Sequence, residues 1–147
     1  MRYYLATLTL LATIPASVQA QNVSGLWLTS DKESVVSIGA CKKNKKKICG
    51  YLVRFPETGN SKLNRKLCGA KLIGEMERAG KRLSGGWIFS PEDNQAYQLI
   101  IYPNATPGKI RLRAYGKKVS NGENFTWTKY NKGLDKRMKF SWAKCAY

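Results

Sequence analysis

Apolar and polar residues alternate with a period of two over short stretches along most of the chain. Ile110, Leu112 and Ala114 interleave with polar or charged neighbours, and residues 138–144 repeat the pattern. Alternation of this kind places one face of a β-strand on a core and the other face in water. Glycine, proline and asparagine separate the stretches, which is typical of all-β sandwiches and barrels.

The pattern predicts an all-β chain with nine short strands. A small antiparallel barrel of about eight strands is the expected fold, because closure leaves no unpaired strand edge and encloses room for side chains or one small ligand. Residues 60–67 are expected to form a loop or one helical turn. The predicted strands cover residues 25–30, 34–41, 47–55, 70–78, 82–90, 95–102, 109–116, 124–130 and 138–144.

The N-terminal residues predict a signal peptide that is cleaved after residue 20. Arg2 precedes a short apolar run, and Val18-Gln19-Ala20 forms a small-residue cleavage site. We therefore expect a periplasmic or secreted protein with a single domain over residues 21–147. No later segment has the roughly eighteen consecutive apolar residues of a membrane helix, so an integral membrane protein is not expected.

The charge of the chain is strongly positive. Lys and Arg number 26 against 9 Asp and Glu, which gives a formal net charge of +17. Such a protein attracts polyanions. For an exported chain these are anionic lipid head groups, lipopolysaccharide and acidic wall polymers, so a nucleic-acid partner is not expected.

Histidine is absent from the sequence. This excludes His-dependent catalytic triads, Cys–His dyads and His-ligated metal sites. Glu75 and Glu77, two residues apart on one predicted strand, could form a paired-carboxylate site or ion pairs with Lys or Arg. No catalytic residue, metal or cofactor is predicted, and a histidine-independent hydrolase is the least favoured function.

The four cysteines, Cys41, Cys49, Cys68 and Cys145, indicate disulfides in an exported chain. Three pairings are open. If Cys41 faces Cys49 across a hairpin, Cys68 is left to pair with Cys145. A four-cysteine zinc site is the competing interpretation, but the spacing has no C-x-x-C.

A run of lysines lies between the first two cysteines. One interpretation is a contact point for an anionic surface, and the other is a solvated basic turn. The residues are Lys42, Lys43, Lys45, Lys46 and Lys47.

Several motifs occur in a recognisable order. Gly25-Leu26-Trp27 opens the domain, Cys49-Gly50 follows the lysine run, Gly85-Gly86-Trp87 leads to Pro91-Glu92-Asp93, and Trp127-Thr128-Lys129 comes late. Together they resemble the exported bacterial family known as domain of unknown function 2147, over nearly all of residues 24–130.

The resemblance implies a calycin-like (lipocalin-like) barrel with a C-terminal extension from about residue 131. In calycins a basic side chain from a late strand packs over the first tryptophan. Here that position holds Lys129, where the family usually has arginine. Residues expected to close the barrel or to line a ligand site are Trp27, Trp87, Tyr97, Arg113, Trp127 and Lys129; simple core packing is the alternative for the tryptophans.

Two functions follow from these expectations. The favoured one is a non-catalytic binding module for a small apolar or amphipathic ligand held in the barrel mouth. The alternative is a basic envelope protein that binds anionic lipid, lipopolysaccharide or wall polymers through its lysines. Salt should weaken the second kind of binding far more than the first.

Overall fold

The expected all-β architecture is present in the computed structural model, which describes residues 22–56, 65–131, 133 and 142–145. The predicted signal peptide lies outside these residues, as do residues 138–141 of the last predicted strand. The strands are β1 (Gly25–Leu28), β2 (Val35–Ala40), β3 (Ile48–Pro56), β4 (Lys71–Ala79), β5 (Arg82–Ser90), β6 (Gln95–Thr106), β7 (Lys109–Tyr115), β8 (Glu123–Lys129) and β9 (Trp142–Lys144).

Eight of these strands form a closed antiparallel barrel, which confirms the predicted fold class. Each strand from β1 to β8 pairs with the next along the chain, and β8 pairs back with β1. The ninth strand, β9, pairs with Arg54–Pro56 at the end of β3, beyond the segment of β3 that pairs with β4. Residues 65–66 form a helical turn, within the stretch expected to be a loop or one helical turn.

The middle of the barrel is filled by its own side chains. Leu83 pairs with Ile101 and Ile101 pairs with Leu112, so these three side chains share the inner face. Ile73, Leu99, Ile101 and Leu112 are 0% exposed. Side chains with no accessible surface border no space as large as a water molecule, so the interior is closely packed around these four residues.

Strand connections define two ends of the barrel. The basal end carries the start of β1 and the β2–β3, β4–β5 and β6–β7 connections. The upper end carries the β1–β2, β3–β4, β5–β6 and β7–β8 connections, the last of which contains a short 3-10 helix, Val119–Asn121.

Two disulfides staple the barrel. Cys41 is bonded to Cys49 across the β2–β3 hairpin, with their Cα atoms 4.9 Å apart. Cys68, in the β3–β4 connection, is bonded to Cys145, which follows β9. Because all four sulfurs are in disulfides, the zinc interpretation of the cysteines is wrong.

Candidate functional site

At the basal end of the barrel a lysine side chain lies over a buried tryptophan ring. Trp27 in β1 points inward, is 3% exposed, and donates a hydrogen bond from Nε1 to the Val23 carbonyl over 2.8 Å. Lys129, paired with Trp27 across β1 and β8, places Nζ 5.0 Å from the centroid of the Trp27 ring. The same ammonium group donates a hydrogen bond to the Ser24 carbonyl over 3.1 Å, which fixes the chain entering β1.

Gly25 leaves the room that this contact needs. Its φ is +132°, a conformation that favours glycine. A Cβ at this position would lie 2.7 Å from Lys129 Nζ. In the Gly25-x-Trp27 motif, Trp27 therefore supplies the indole ring that Lys129 contacts, and Gly25 leaves room for its ammonium group.

The second interior tryptophan lies one strand away. Trp127 in β8 pairs with buried Ile110 and is 4% exposed. Its ring centroid is 6.4 Å from that of Phe125, two residues earlier on the same face. The structure therefore places Trp127 in the core beside Trp27, with Phe125 extending the aromatic surface towards the upper end.

Half-buried side chains point inward at the upper end. Ile88 pairs with Tyr97 and with fully buried Ile73, so both Ile88 and Tyr97 face the interior. Phe125 pairs with buried Leu112 and faces the same space. Glu123 also faces inward. It pairs with Ala114, which in turn pairs with the buried, inward-facing Leu99. The upper end thus combines a partly exposed apolar and aromatic lining with a carboxylate.

A hydrogen bond at the upper end joins the phenol of Tyr97 to the carboxylate of Asp93. This bond, with one from Ser90, holds the pKa of Asp93 below its ordinary value of 3.8. It also raises the pKa of Tyr97 above 10.0, and the nearby charges of Asp93 and Glu123 act in the same direction. The pair is therefore a neutral phenol donating to an ionised carboxylate.

Trp87 lies on the outside of the barrel. The register of β5 against β6 shifts between Leu83 and Gly86, and Gly85 has a φ of +76°. This bulge reverses the alternation, so that Gly86 faces the interior and Trp87 packs outward against Gly74. The structure does not bring Trp87 together with Trp27 and Trp127, contrary to the expected lining.

Arg113 also lies on the outer face, opposite Ile100. Its Nε donates to the Val119 carbonyl over 2.8 Å, and Nη2 donates to the Ser120 carbonyl over 3.0 Å. The guanidinium group thus holds the β7–β8 connection in place. Arg113 is not among the side chains that face the interior.

The lysine run forms the tip of the β2–β3 hairpin at the basal end. Lys42, Lys43, Lys45 and Lys46 are exposed, whereas Lys47 is half-buried and forms an ion pair with Glu77. Glu75, at a φ of +59°, is also exposed. The ion-pair interpretation therefore holds for Glu77.

Ile88, Glu123 and Phe125 face the interior although the sequence did not predict them as site residues. All three sit in strands that were predicted or at their boundary, but their inward direction depends on register. No group of three or more Cys, Asp or Glu side chains within the described part of the chain is placed to hold a metal ion. Likewise, no helix among the described residues is long and apolar enough to cross a membrane.

A family model matches residues 25–129, which run from the first residue of β1 to the last of β8. Its description is an uncharacterized protein conserved in bacteria, DUF2147. The chain belongs to this family. The DUF2147 match covers the whole closed barrel, including the Trp27–Lys129 contact, and excludes β9 and Cys145.

Among solved structures, the DUF2147 chain is similar to one described as "Protein HP1028 from the human pathogen Helicobacter pylori belongs to the lipocalin family". The TM-score is 0.59 at 21% identity, over 82% of this chain and 91% of that one. At this identity the likeness shows a lipocalin-like fold. No curated protein matches the sequence.

Proposed function

We propose that this barrel is a non-catalytic module that binds a small apolar or amphipathic molecule at its upper end. The observation that carries the proposal is the inward-facing, half-buried group formed by Ile88, Tyr97 and Phe125. In the middle of the barrel the inward side chains have no accessible surface left, whereas these three side chains still have accessible surface that a ligand can cover. A lipocalin-like fold supports the same function, because ligands commonly enter such barrels through the mouth.

The geometry favours a shallow site over a deep one. At the basal end Lys129 lies over buried Trp27, and in the middle Ile73, Leu99 and Leu112 are fully buried. An apolar ligand portion would pack on Phe125 and Ile88. A polar portion would remain at the rim, near the Tyr97 phenol and the Glu123 carboxylate.

The non-catalytic assignment is part of the proposal. It is supported by the absence of histidine from the sequence and by the structural partners of two of the acidic residues. Glu77 is paired with Lys47, and Asp93 accepts hydrogen bonds from Tyr97 and from the Gln95 backbone.

We also propose that the protein is exported, with cleavage after Ala20 and a periplasmic or secreted location. The support comes from the sequence of residues 1–20 and from the two disulfides, which persist in oxidising compartments. N-terminal sequencing of the protein from its native compartment tests this, with Gln21 expected as the first residue.

A titration with an apolar fluorescent probe, N-phenyl-1-naphthylamine, tests the ligand site. We expect saturable binding to the native chain and at least about tenfold weaker binding to Phe125→Ala, because the aromatic floor of the site is removed. Trp87→Phe is the matched control, since it changes an aromatic side chain on the outer face.

Chemical-shift mapping keeps the test valid if Phe125→Ala is unstable. In the native chain, saturating probe should shift the amide resonances of Ile88, Tyr97 and Phe125 and leave those around Trp27 unchanged. Shifts confined to the outer face, or no saturable binding, would overturn the proposal.

A further inference from the structure

Basic side chains are concentrated at one end of the barrel. They lie in or next to all three strand connections at this end, and they follow one another around the rim because β3 is next to β4 and β5 is next to β6. Two carboxylates, Glu75 and Glu77, lie near this end among the described residues, and Glu77 is already paired with Lys47. The exposed basic residues here include Lys42, Lys43, Lys45 and Lys46 in the β2–β3 connection, Lys81 in the β4–β5 connection with Arg82 at the start of β5, and Lys109 at the start of β7.

The upper end has a mixed charge. Its connections and strand ends hold both carboxylates and basic side chains, and the exposed ones include Asp31, Lys32, Glu33, Arg65, Lys66, Glu92, Asp93, Lys117, Lys118, Glu123 and Lys144. Among the described residues, positive charge is therefore in excess at the basal end relative to the upper end, so the charge is distributed unevenly along the barrel axis. A field of this shape orients the molecule relative to an anionic partner.

The hairpin tip that carries four of the lysines is held rigidly. The Cys41–Cys49 disulfide closes its base. Inside it, Cys41 N–H donates to the Lys47 carbonyl over 3.0 Å, Lys47 N–H to the Asn44 carbonyl over 3.1 Å, and Lys46 N–H to Asn44 Oδ1 over 3.1 Å. The backbone that presents the lysines is therefore ordered before any contact, so binding carries little entropic cost from ordering it.

We propose that the basal end docks on a membrane surface that displays anionic phospholipid head groups, leaving the upper end and its ligand site facing away. A planar surface can contact all three basal connections together, whereas a linear polyanion follows only a line across them. Electrostatic attraction to an anionic leaflet acts within about a Debye length, roughly 10 Å at 0.1 M salt, so charges gathered at one end act together. This docking surface is separate from the ligand site and does not depend on it.

Two charge-reversal variants test the proposal. Lys43→Glu/Lys45→Glu/Lys46→Glu changes the basal end, and Lys66→Glu/Lys117→Glu/Lys118→Glu makes the same change in net charge at the upper end. Binding is measured by co-sedimentation with vesicles of phosphatidylglycerol in phosphatidylcholine, against pure phosphatidylcholine vesicles. All substituted side chains are exposed, and circular dichroism checks the fold of each variant.

The basal variant should bind anionic vesicles at least about tenfold more weakly than the native chain, and the upper-end variant should stay within about threefold of it. High salt should release the native chain, and neutral vesicles should not bind it. Equal losses in both variants would show that net charge alone matters and would overturn the docking site. Binding to lipopolysaccharide micelles but not to phosphatidylglycerol vesicles would overturn the choice of phospholipid.

Lysine acetylation of the native chain, read by mass spectrometry with and without anionic vesicles, tests the orientation independently. Vesicles should protect Lys43, Lys45, Lys46, Lys81 and Lys109. They should leave the reactivity of Lys117 and Lys118 unchanged. Protection spread evenly over both ends would contradict the proposed orientation.

Discussion

The side chain of Lys129 in β8 lies over the indole ring of Trp27 in β1, with Nζ 5.0 Å from the ring centroid. The same ammonium group donates a hydrogen bond to the Ser24 carbonyl. The contact joins the last strand of the closed barrel to the first. It occurs where the closure must be completed, because β1 and β8 share only two residue pairs, Trp27–Lys129 and Leu28–Thr128. The side-chain contact therefore supplements a short backbone ladder.

Lys129→Ala should lower the free energy of unfolding by about 1–2 kcal/mol, because it removes both a cation–π contact and a hydrogen bond. Lys129→Arg should retain most of the stability, since a guanidinium group stacks well on an indole. Urea denaturation followed by tryptophan fluorescence measures both. Lys117→Ala, at an exposed position of the β7–β8 connection, is the control and should change stability by less than about 0.5 kcal/mol. An alanine variant as stable as the native chain would refute the role of this contact.

Gly74→Ala should destabilise the barrel by about 1–3 kcal/mol, because the new methyl group would overlap the Trp87 indole ring. Gly39→Ala in β2 is the matched control, since no atom lies within 4 Å of its new methyl group. Thermal unfolding compares the two. In a Trp87→Ala background the cost of Gly74→Ala should fall, and an unchanged cost would contradict the outward packing of Trp87.

Tyr97→Phe should raise the pKa of Asp93 towards its ordinary value of 3.8, because the phenol hydrogen bond is the largest cause of the lowering. The Gln95 backbone bond remains, so part of the lowering should persist. Carboxyl carbon NMR titration measures the shift, with Tyr115→Phe on the outer face as control. An Asp93 titration that is identical in the native chain and in Tyr97→Phe would refute the pairing.

The same pair predicts the direction of the pH dependence of stability. Asp93 has a lowered pKa in the folded chain, so its contribution is present above pH 3.8 and is lost as pH falls through the folded-state value. Tyr97 has a raised pKa, so its contribution is present below pH 10.0 and is lost as pH rises through the folded-state value. In Tyr97→Phe the free energy of unfolding, measured by urea denaturation, should change less with pH in both the acidic and the alkaline range. A pH dependence as steep as that of the native chain would contradict the Tyr97–Asp93 pairing.

Removing the Cys68–Cys145 disulfide should cost more than removing the Cys41–Cys49 disulfide. The two bonds join residues 77 and 8 positions apart. The chain-entropy relation gives about 4–5 kcal/mol for the first as an upper limit and about 2–3 kcal/mol for the second. Paired Cys→Ala variants compared by urea denaturation measure the difference, and the reverse order would contradict the expectation.

The inner face of β7 could be predicted from sequence, because Ile110, Leu112 and Ala114 keep the period of two without interruption. The β2–β3 hairpin could also be predicted, since Cys41 and Cys49 flank a polar tip. The ends of the strands were harder to predict. The prediction for β6 ended at residue 102, whereas the strand runs to Thr106 through Pro103, which lies next to an irregularity in the pairing with β7.

The orientation of Trp87 and Ile88 could not be predicted, for a physical reason. Counting by two from Leu83 places Trp87 inside and Ile88 outside. The bulge at Gly85 adds one residue and exchanges them. The candidate site at the upper end therefore became visible only with the register, although Tyr97 was already among the expected residues.

Native mass spectrometry of the mature protein, purified gently from the compartment where it resides, tests the central claim most directly. If the upper end holds a ligand, the spectrum should show an extra mass of a small molecule that survives mild ionisation, leaves on denaturation, and is reduced in Phe125→Ala but not in Trp87→Phe. A bare protein mass, together with no saturable uptake of N-phenyl-1-naphthylamine, would contradict a ligand site at the upper end of the barrel.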